Sequence, residues 1–177
     1  MLTTRQFLLR SASALAFAAV APAALAPAAF AVDALPGARF VGFVQEANDF
    51  EIGSARMALQ KSSNENIRGF ANRMLVDHEE SVGVLAKARQ EAGVTFAPTP
   101  GGREPRHAAV LDRLSALNGP DFDATYASAQ LAAHIEAVDQ FGAYSQNGDN
   151  ANLRKFAQAM LPKLQAHLEH AKRIAGQ

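Results

Sequence analysis

The chain contains no cysteine, no tryptophan and only two tyrosines. The missing cysteine excludes disulfides, thiolate zinc sites, iron–sulfur clusters, a cysteine nucleophile and a lipidated N-terminal cysteine. Any metal must therefore be held by histidine, carboxylate, methionine or water. Aromatics make up 7% of residues against 49% hydrophobic, with alanine dominating. That mixture suits closely packed helices better than a β-sandwich, which draws on Val, Thr, Tyr and Trp. An excess of either charge is also lacking, with 17 basic and 17 acidic side chains. Such a balance leaves no electrostatic footprint for nucleic acid or an anionic membrane surface, so neither is expected as a partner. There is no Gly-x-Ser-x-Gly elbow, phosphate-cradling glycine loop or dinucleotide fingerprint, and hydrolase and nucleotide-dependent readings have no residues to rest on.

What is present begins with residues 1–31, which have the form of an export signal. Arg5 and Arg10 supply a basic start, Ser11 to Phe30 is uncharged and Ala-rich, and Ala29-Phe30-Ala31 fits a small-x-small cleavage pattern. Pro22, Pro27 and the weak hydrophobicity of alanine argue against a membrane anchor, so no stable span is expected after cleavage. The run TTRQFLLR is similar to a twin-arginine signal with Thr4 in place of the first arginine, and general secretion serves equally well. The expected location is periplasmic or otherwise exported. Cleavage removes Arg5 and Arg10, taking the basic count from 17 to 15 against 17 acidic groups, a net charge of −2.

Residues 32–37 then form a linker, and 38–177 one helical domain of four long helices. The first is expected from Ala38 to Lys61, with Phe40, Phe43, Val44, Ala47, Phe50, Glu51, Ser54, Met57 and Ala58 inward. A turn at Ser62-Ser63-Asn64, with Asn64 as cap, is short enough to require an antiparallel hairpin. The second helix runs to Ala92, where Gly93 stops it, and turns Ile67, Ala71, Met74, His78, Ser81 and Leu85 inward. Val94 to Pro105, with its prolines and glycines, cannot be one regular element, and a short helix follows over His107 to Leu117. A hairpin, a long crossover and a second hairpin is the ferritin-like arrangement of a four-helix bundle. The third long helix is expected from Asp121, as N-cap, to Gln146, with Asp123, Tyr126, Gln130, His134, Ala137, Phe141 and Tyr144 inward. After the turn NGDN the fourth spans Ala151 to Ala175, with Leu153, Phe156, Met160, Leu164, His167, Ala171 and Ile174 inward and a kink expected before Pro162.

Four stretches, FVQEANDFEIGSARMAL, FANRMLVDHEES, GPDFDATYASAQLAAHIEAV and LPKLQAHLEHA, resemble the bacterial domain-of-unknown-function family 4142. The resemblance runs from Phe40 to Ala171, on Glu51, Met74, Asp77, His78, Phe122, Asp123, Tyr126, His134, Leu161, Pro162 and His167. It implies an exported, ferritin-like helical bundle, of a family often labelled outer-membrane proteins. No activity is established for that family, so it implies no catalytic residue.

Each long helix carries a polar residue on its inward stripe: Glu51, His78, His134 and His167. Helical rise places Glu51 and His78 within roughly 3 Å of the same level, and His134 also near mid-helix. His167 falls some 7 Å past His134 by the same count. Imidazole and carboxylate together suit one ion of Fe, Mn, Zn, Ni or Cu(II), and a bundle core is a common place for such a site. A ferritin-type di-iron site needs a Glu-x-x-His on two helices, but Leu75 and Leu164 stand where those glutamates belong. Oxygen-activating di-iron chemistry is therefore not expected.

The competing reading is a network that only fixes helix packing, with Glu51 on His78 and Tyr126 on Asp77 or His134. Under it the protein is a non-catalytic interaction module with an envelope partner. An oxidoreductase on the same cluster is a weaker third reading, and the chain is read as a binder or scaffold rather than an enzyme. The His167-x-x-His170 pair reads as a solvated face, Met57, Met74 and Met160 as core filling, and His107 as exposed crossover.

Overall fold

The computed structural model describes residues 32–95 and 105–176. The signal peptide expected over residues 1–31 and most of the irregular crossover lie outside the described residues. Among the described residues there are five helices, α1 (Gly37–Lys61), α2 (Glu65–Ala92), α3 (Pro105–Ala116), α4 (Gly119–Asn147) and α5 (Ala151–Ile174), and no strand. None of these helices is long and apolar enough to cross a membrane.

Local chemistry sets the ends. The Asn64 side chain accepts from the backbone N–H of Asn66 at 2.9 Å and of Ile67 at 3.4 Å, and Asn150 caps α5 in the same way. Gly93, with φ 65°, takes the left-handed conformation that closes α2. Gly148 allows a close approach, since a Cβ there would lie 2.4 Å from the Tyr144 ring. That closeness leaves Tyr144 free to donate to Asp149 at 2.7 Å, whose other oxygen accepts from the N–H of Gly37 at 3.1 Å and so caps α1.

Two helix starts differ from the sequence expectation, each by two residues. α4 begins at Gly119 with Asn118 flanking it, so Asp121 lies inside the first turn instead of capping it. Proline has no N–H to satisfy and is tolerated in a first turn, which lets Pro120 start the helix earlier. α3 likewise opens at Pro105, two residues ahead of His107. α5 continues through Pro162.

α1 pairs with α2 and α4 with α5, as the short turns require, while α1 also packs on α4 and α2 on α5. Phe40 at the start of α1 stacks on Tyr144 near the end of α4, at 3.9 Å between ring centroids, so these two helices run antiparallel. At the far end Lys61 donates to the carbonyls of Leu114 (3.2 Å), Leu117 (2.8 Å) and Ser115, closing the C-terminus of α3. This is the ferritin-like order, with α3 within the crossover.

The core forms two apolar clusters. One gathers Phe40, Val41, Val44, Leu85, Phe141, Tyr144, Leu153, Phe156 and Leu164. The other gathers Ala55, Ala58, Ile67, Phe70, Met74, Leu114, Phe122 and Tyr126. All six inward positions expected on α2 are buried. Phe43, Ala47 and Met57 of the expected α1 stripe, Asp123 of α4, and Met160 and Ile174 of α5 are only half-buried, because flanking Val41, Asn48, Ala55, Phe122 and Ala157 take the interior places.

Candidate metal centre

Between the two clusters, at mid-height, every long helix turns polar. Asn48, Glu51 and Ser54 come from α1, His78 and Ser81 from α2, Gln130 and His134 from α4, and His167 from α5, all buried. One ring nitrogen from each of His78, His134 and His167 lies within 4.8 Å of the other two. Their ring centroids are 5.5 to 6.2 Å apart.

The three rings are held alike. His78 Nδ1 lies 2.9 Å from Asn48 Oδ1, His134 Nδ1 lies 2.8 Å from the Gln130 carbonyl, and His167 Nε2 lies 2.8 Å from Asp77 Oδ2. Each oxygen can only accept, so in each ring that nitrogen carries the hydrogen and donates it. The remaining nitrogens, His78 Nε2, His134 Nε2 and His167 Nδ1, are buried and have no partner among the described residues.

Electrostatics keep the rings neutral. Burial, reinforced by the neighbouring histidines, pulls His78 down to about 3. Burial also brings His134 down to about 4, against the opposing bond to the Gln130 carbonyl. His167 is lowered by burial too, with Asp77 pulling the other way. Burial pushes Asp77 up, but bonds from His167 and Lys163 outweigh it and leave its carboxyl below the usual value. Glu51 is raised to about 8 by burial, so it carries a proton at neutral pH.

Glu51 lies 3.9 Å from His134, through Oε1 to the Nδ1 that the Gln130 carbonyl also holds. It lines the same small cavity, about 30 Å³, as the three imidazoles, Asn48, His107 and Met160. All four polar seam residues of the sequence reading are therefore in one place, with three of them forming the nitrogen cluster.

His167 joins more closely than its count along the helix implied. Its level has to be measured from the turn that α4 and α5 share: His134 precedes the end of α4 by about 13 residues, and His167 follows the start of α5 by about 16. Three residues correspond to about 4.5 Å, which imidazoles on packed helices bridge. The pairings expected for a packing network are not formed. His78 bonds Asn48 instead of Glu51, Asp77 serves His167 and Lys163, and the Tyr126 hydroxyl is buried without a partner among the described residues. The His167-x-x-His170 pair divides, His167 going inside while His170 sits half-buried, 5.0 Å edge-on to Phe70. His107 is half-buried and stacks on Phe50 at 4.6 Å, where sequence placed it in solvent.

Sequence reasoning missed Asn48. The signal was available, since Asn48, Glu51 and Ser54 recur at a three-residue spacing along one face of α1.

Fold and site together define an all-α, ferritin-like bundle with a buried three-imidazole cluster. The sequence matches the family described as domain of unknown function (DUF4142) over residues 19–174, and the chain belongs to that family. Among solved structures it is similar to CopM in the Cu(II)-bound form, with 18% sequence identity and a TM-score of 0.67 over 81% of this chain and 97% of that one. At that identity the likeness speaks for the fold. No curated protein sequence matches this chain.

Proposed function

We propose that this is an exported, non-catalytic transition-metal-binding bundle, with Cu(II) the ion it takes, held by His78, His134 and His167. One observation carries the reading. Three buried, neutral imidazoles each have one N–H anchored on a neighbouring oxygen and the other nitrogen unpartnered among the described residues. Metal-ligating histidines use their second nitrogen in this way, which fixes tautomer and ring orientation. A network serving only packing satisfies its buried polar atoms, and this one leaves a bare nitrogen on each of three rings whose centroids are 5.5 to 6.2 Å apart.

Metal–nitrogen bonds of about 2.0–2.1 Å place tetrahedral ligands roughly 3.4 Å apart, so the cluster would close by about an ångström onto a cation. Imidazole sets bind Cu(II) most tightly among the divalent first-row ions, and CopM, of the same fold, is known in a Cu(II)-bound form. Glu51 belongs to the centre as a neighbour of His134. The Ala-rich leader supports action outside the cytoplasm, where the chain would hold or carry the ion.

The test is metal content. Purified protein reconstituted with Cu(II) should retain one equivalent, and His78→Ala and His134→Ala should each lose it. Failure of the parent chain to retain any ion, with both variants strongly destabilised, would return the cluster to a packing role.

A further inference from the structure

His78, His134 and His167 are 7%, 1% and 2% exposed, so an ion reaches their bare nitrogens only if part of the surrounding wall moves. Most of that wall belongs to α1, α2, α4 and α5, whose inner faces are also the core of the bundle. From α3 the wall takes one residue, His107.

α3 packs on α1 and α4, but it is fixed unevenly along its length. Its C-terminal half buries Leu111 and Leu114, the latter in the apolar cluster of Phe70 and Phe122, and Lys61 holds carbonyls at its end. In its N-terminal half, residues 105–110, no side chain is buried. There His107 stacks on Phe50 of α1 at 4.6 Å, and Arg106 pairs with Glu136 of α4 at 3.2 Å. Phe50, His107 and Glu136 all border the cavity of the three imidazoles. An exposed ion pair contributes little to stability, and a segment that buries little apolar surface opens locally more readily than a core helix.

We infer that α3 is the door to the metal centre: its N-terminal half lifts off α1 and α4 about its anchored C-terminal half, with Arg106–Glu136 as the latch, to let the ion in and out. This rests on the three-imidazole reading above. It makes α3 a control on the rate of copper exchange and His107 a piece of wall, not a ligand. A barrier shared by entry and exit changes both rates together and leaves affinity alone.

The test is exchange kinetics, on protein whose single equivalent of Cu(II) is first verified by metal analysis. Loading is followed by stopped flow from the Cu(II)–glycine complex, and release by transfer to excess EDTA. Arg106→Ala should speed both about threefold with affinity unchanged, and His107→Ala should speed both about tenfold. His107→Phe, which keeps a ring on Phe50, should exchange copper at the parent rate. Because the chain has no cysteine, Arg106→Cys and Glu136→Cys can be combined and joined by a bis-maleimide. Joined, this protein should load about tenfold more slowly than the parent chain; unjoined, it should load faster. Equal rates in the joined and unjoined forms overturn the inference. So does faster loading in Lys163→Met with no response from the α3 variants, which would put the opening between α2 and α5. Weaker affinity in His107→Phe would make His107 a ligand and overturn it too. Failure of the parent chain to keep copper would instead sink the metal reading itself, which metal analysis detects before any rate is measured.

Discussion

At its two ends the bundle is packed from Phe40, Tyr144 and Leu153 on one side and Phe70, Met74 and Phe122 on the other, all at 0% exposure. Halfway along, the same helices bury Asn48, Glu51, Gln130 and three histidines, each with one atom unpartnered among the described residues. Every such atom costs about 1–3 kcal/mol against a bonded equivalent. The ends therefore hold the chain together and the middle draws on that stability. On the metal-binding proposal, what the middle gains is three imidazoles fixed in tautomer and position, which lowers the ordering cost of taking an ion.

The sharpest way to break this contrast is to damage each region and compare. Phe70→Ala opens a cavity beneath Tyr126, His134 and His170, whose rings lie 5.0 to 6.2 Å away. Urea unfolding of the metal-free protein should show a loss of about 3–5 kcal/mol. His78→Leu, by contrast, replaces a half-satisfied ring with an apolar side chain of similar bulk. It trades one unpartnered buried atom, His78 Nε2, for another, Asn48 Oδ1, and should change metal-free stability by less than about 1 kcal/mol while eliminating copper binding. Equal losses in the two variants would mean that the middle is structural after all.

Next in size is the support beneath one ligand. Asp77→Asn keeps an oxygen for His167 but removes the carboxylate charge that strengthens it as a donor to metal. Losing an outer partner of a ligating histidine typically lowers affinity 10–100-fold, and competition with a copper chelator should find a drop in that range. An unchanged affinity would separate Asp77 from the centre.

The middle should also give metal-free stability an unusual pH profile. His78 and His134 protonate near 3 and 4 when folded, against 6.5 as the ordinary value. The unfolded chain thus binds more protons below 6.5, and stability falls as pH drops from there toward 3. Glu51 acts in the opposite sense: folded, it keeps its proton to about 8, against 4.5 ordinarily. Its contribution is lost as pH rises from 4.5 to 8. Below 6.5 two imidazoles outweigh one carboxyl, and above it Glu51 acts without them, so the maximum should lie near pH 6.5. From there to pH 8 the loss should be about 2 kcal/mol. Glu51→Gln should flatten this limb in thermal melts and leave the acid limb in place; a variant still declining above 6.5 would assign the effect elsewhere.

The apolar ends were legible in the sequence because they depend on periodicity, and every inward position expected on α2 is buried. The short turns at Ser62 and Gly148 settle which helices are neighbours, and that brings Glu51, His78 and His134 to one height. Less legible was anything that depends on a second helix. Asn48 looks like an ordinary polar residue until α2 places His78 against it, and Asp77 reads as a partner for Tyr126 until α5 brings His167 to its carboxylate. Periodicity gives a side chain its face. It does not give it the partner across the interface, nor the nitrogen of a ring that is left bare.

The smallest expected effects test the same contrast at the surface. Arg56–Glu79, at 2.7 Å between side chains 60% and 49% exposed, joins α1 to α2 in solvent. Lys163 likewise pairs with Glu80 at 3.0 Å, but also with Asp77 at 3.2 Å, whose other oxygen holds His167. Exposed pairs of this kind contribute about 0–1 kcal/mol, so Arg56→Ala and Lys163→Met should both leave stability nearly unchanged. Copper affinity should tell them apart. Arg56→Ala should match the parent chain, since among the described residues its ion pair is with Glu79, away from the three histidines. Lys163→Met should weaken binding a few-fold, because Asp77 loses the cation that helps to fix its carboxylate. If the two variants bind copper alike, the centre ends at its three histidines and their immediate oxygens, and the surface beyond Asp77 has no part in it.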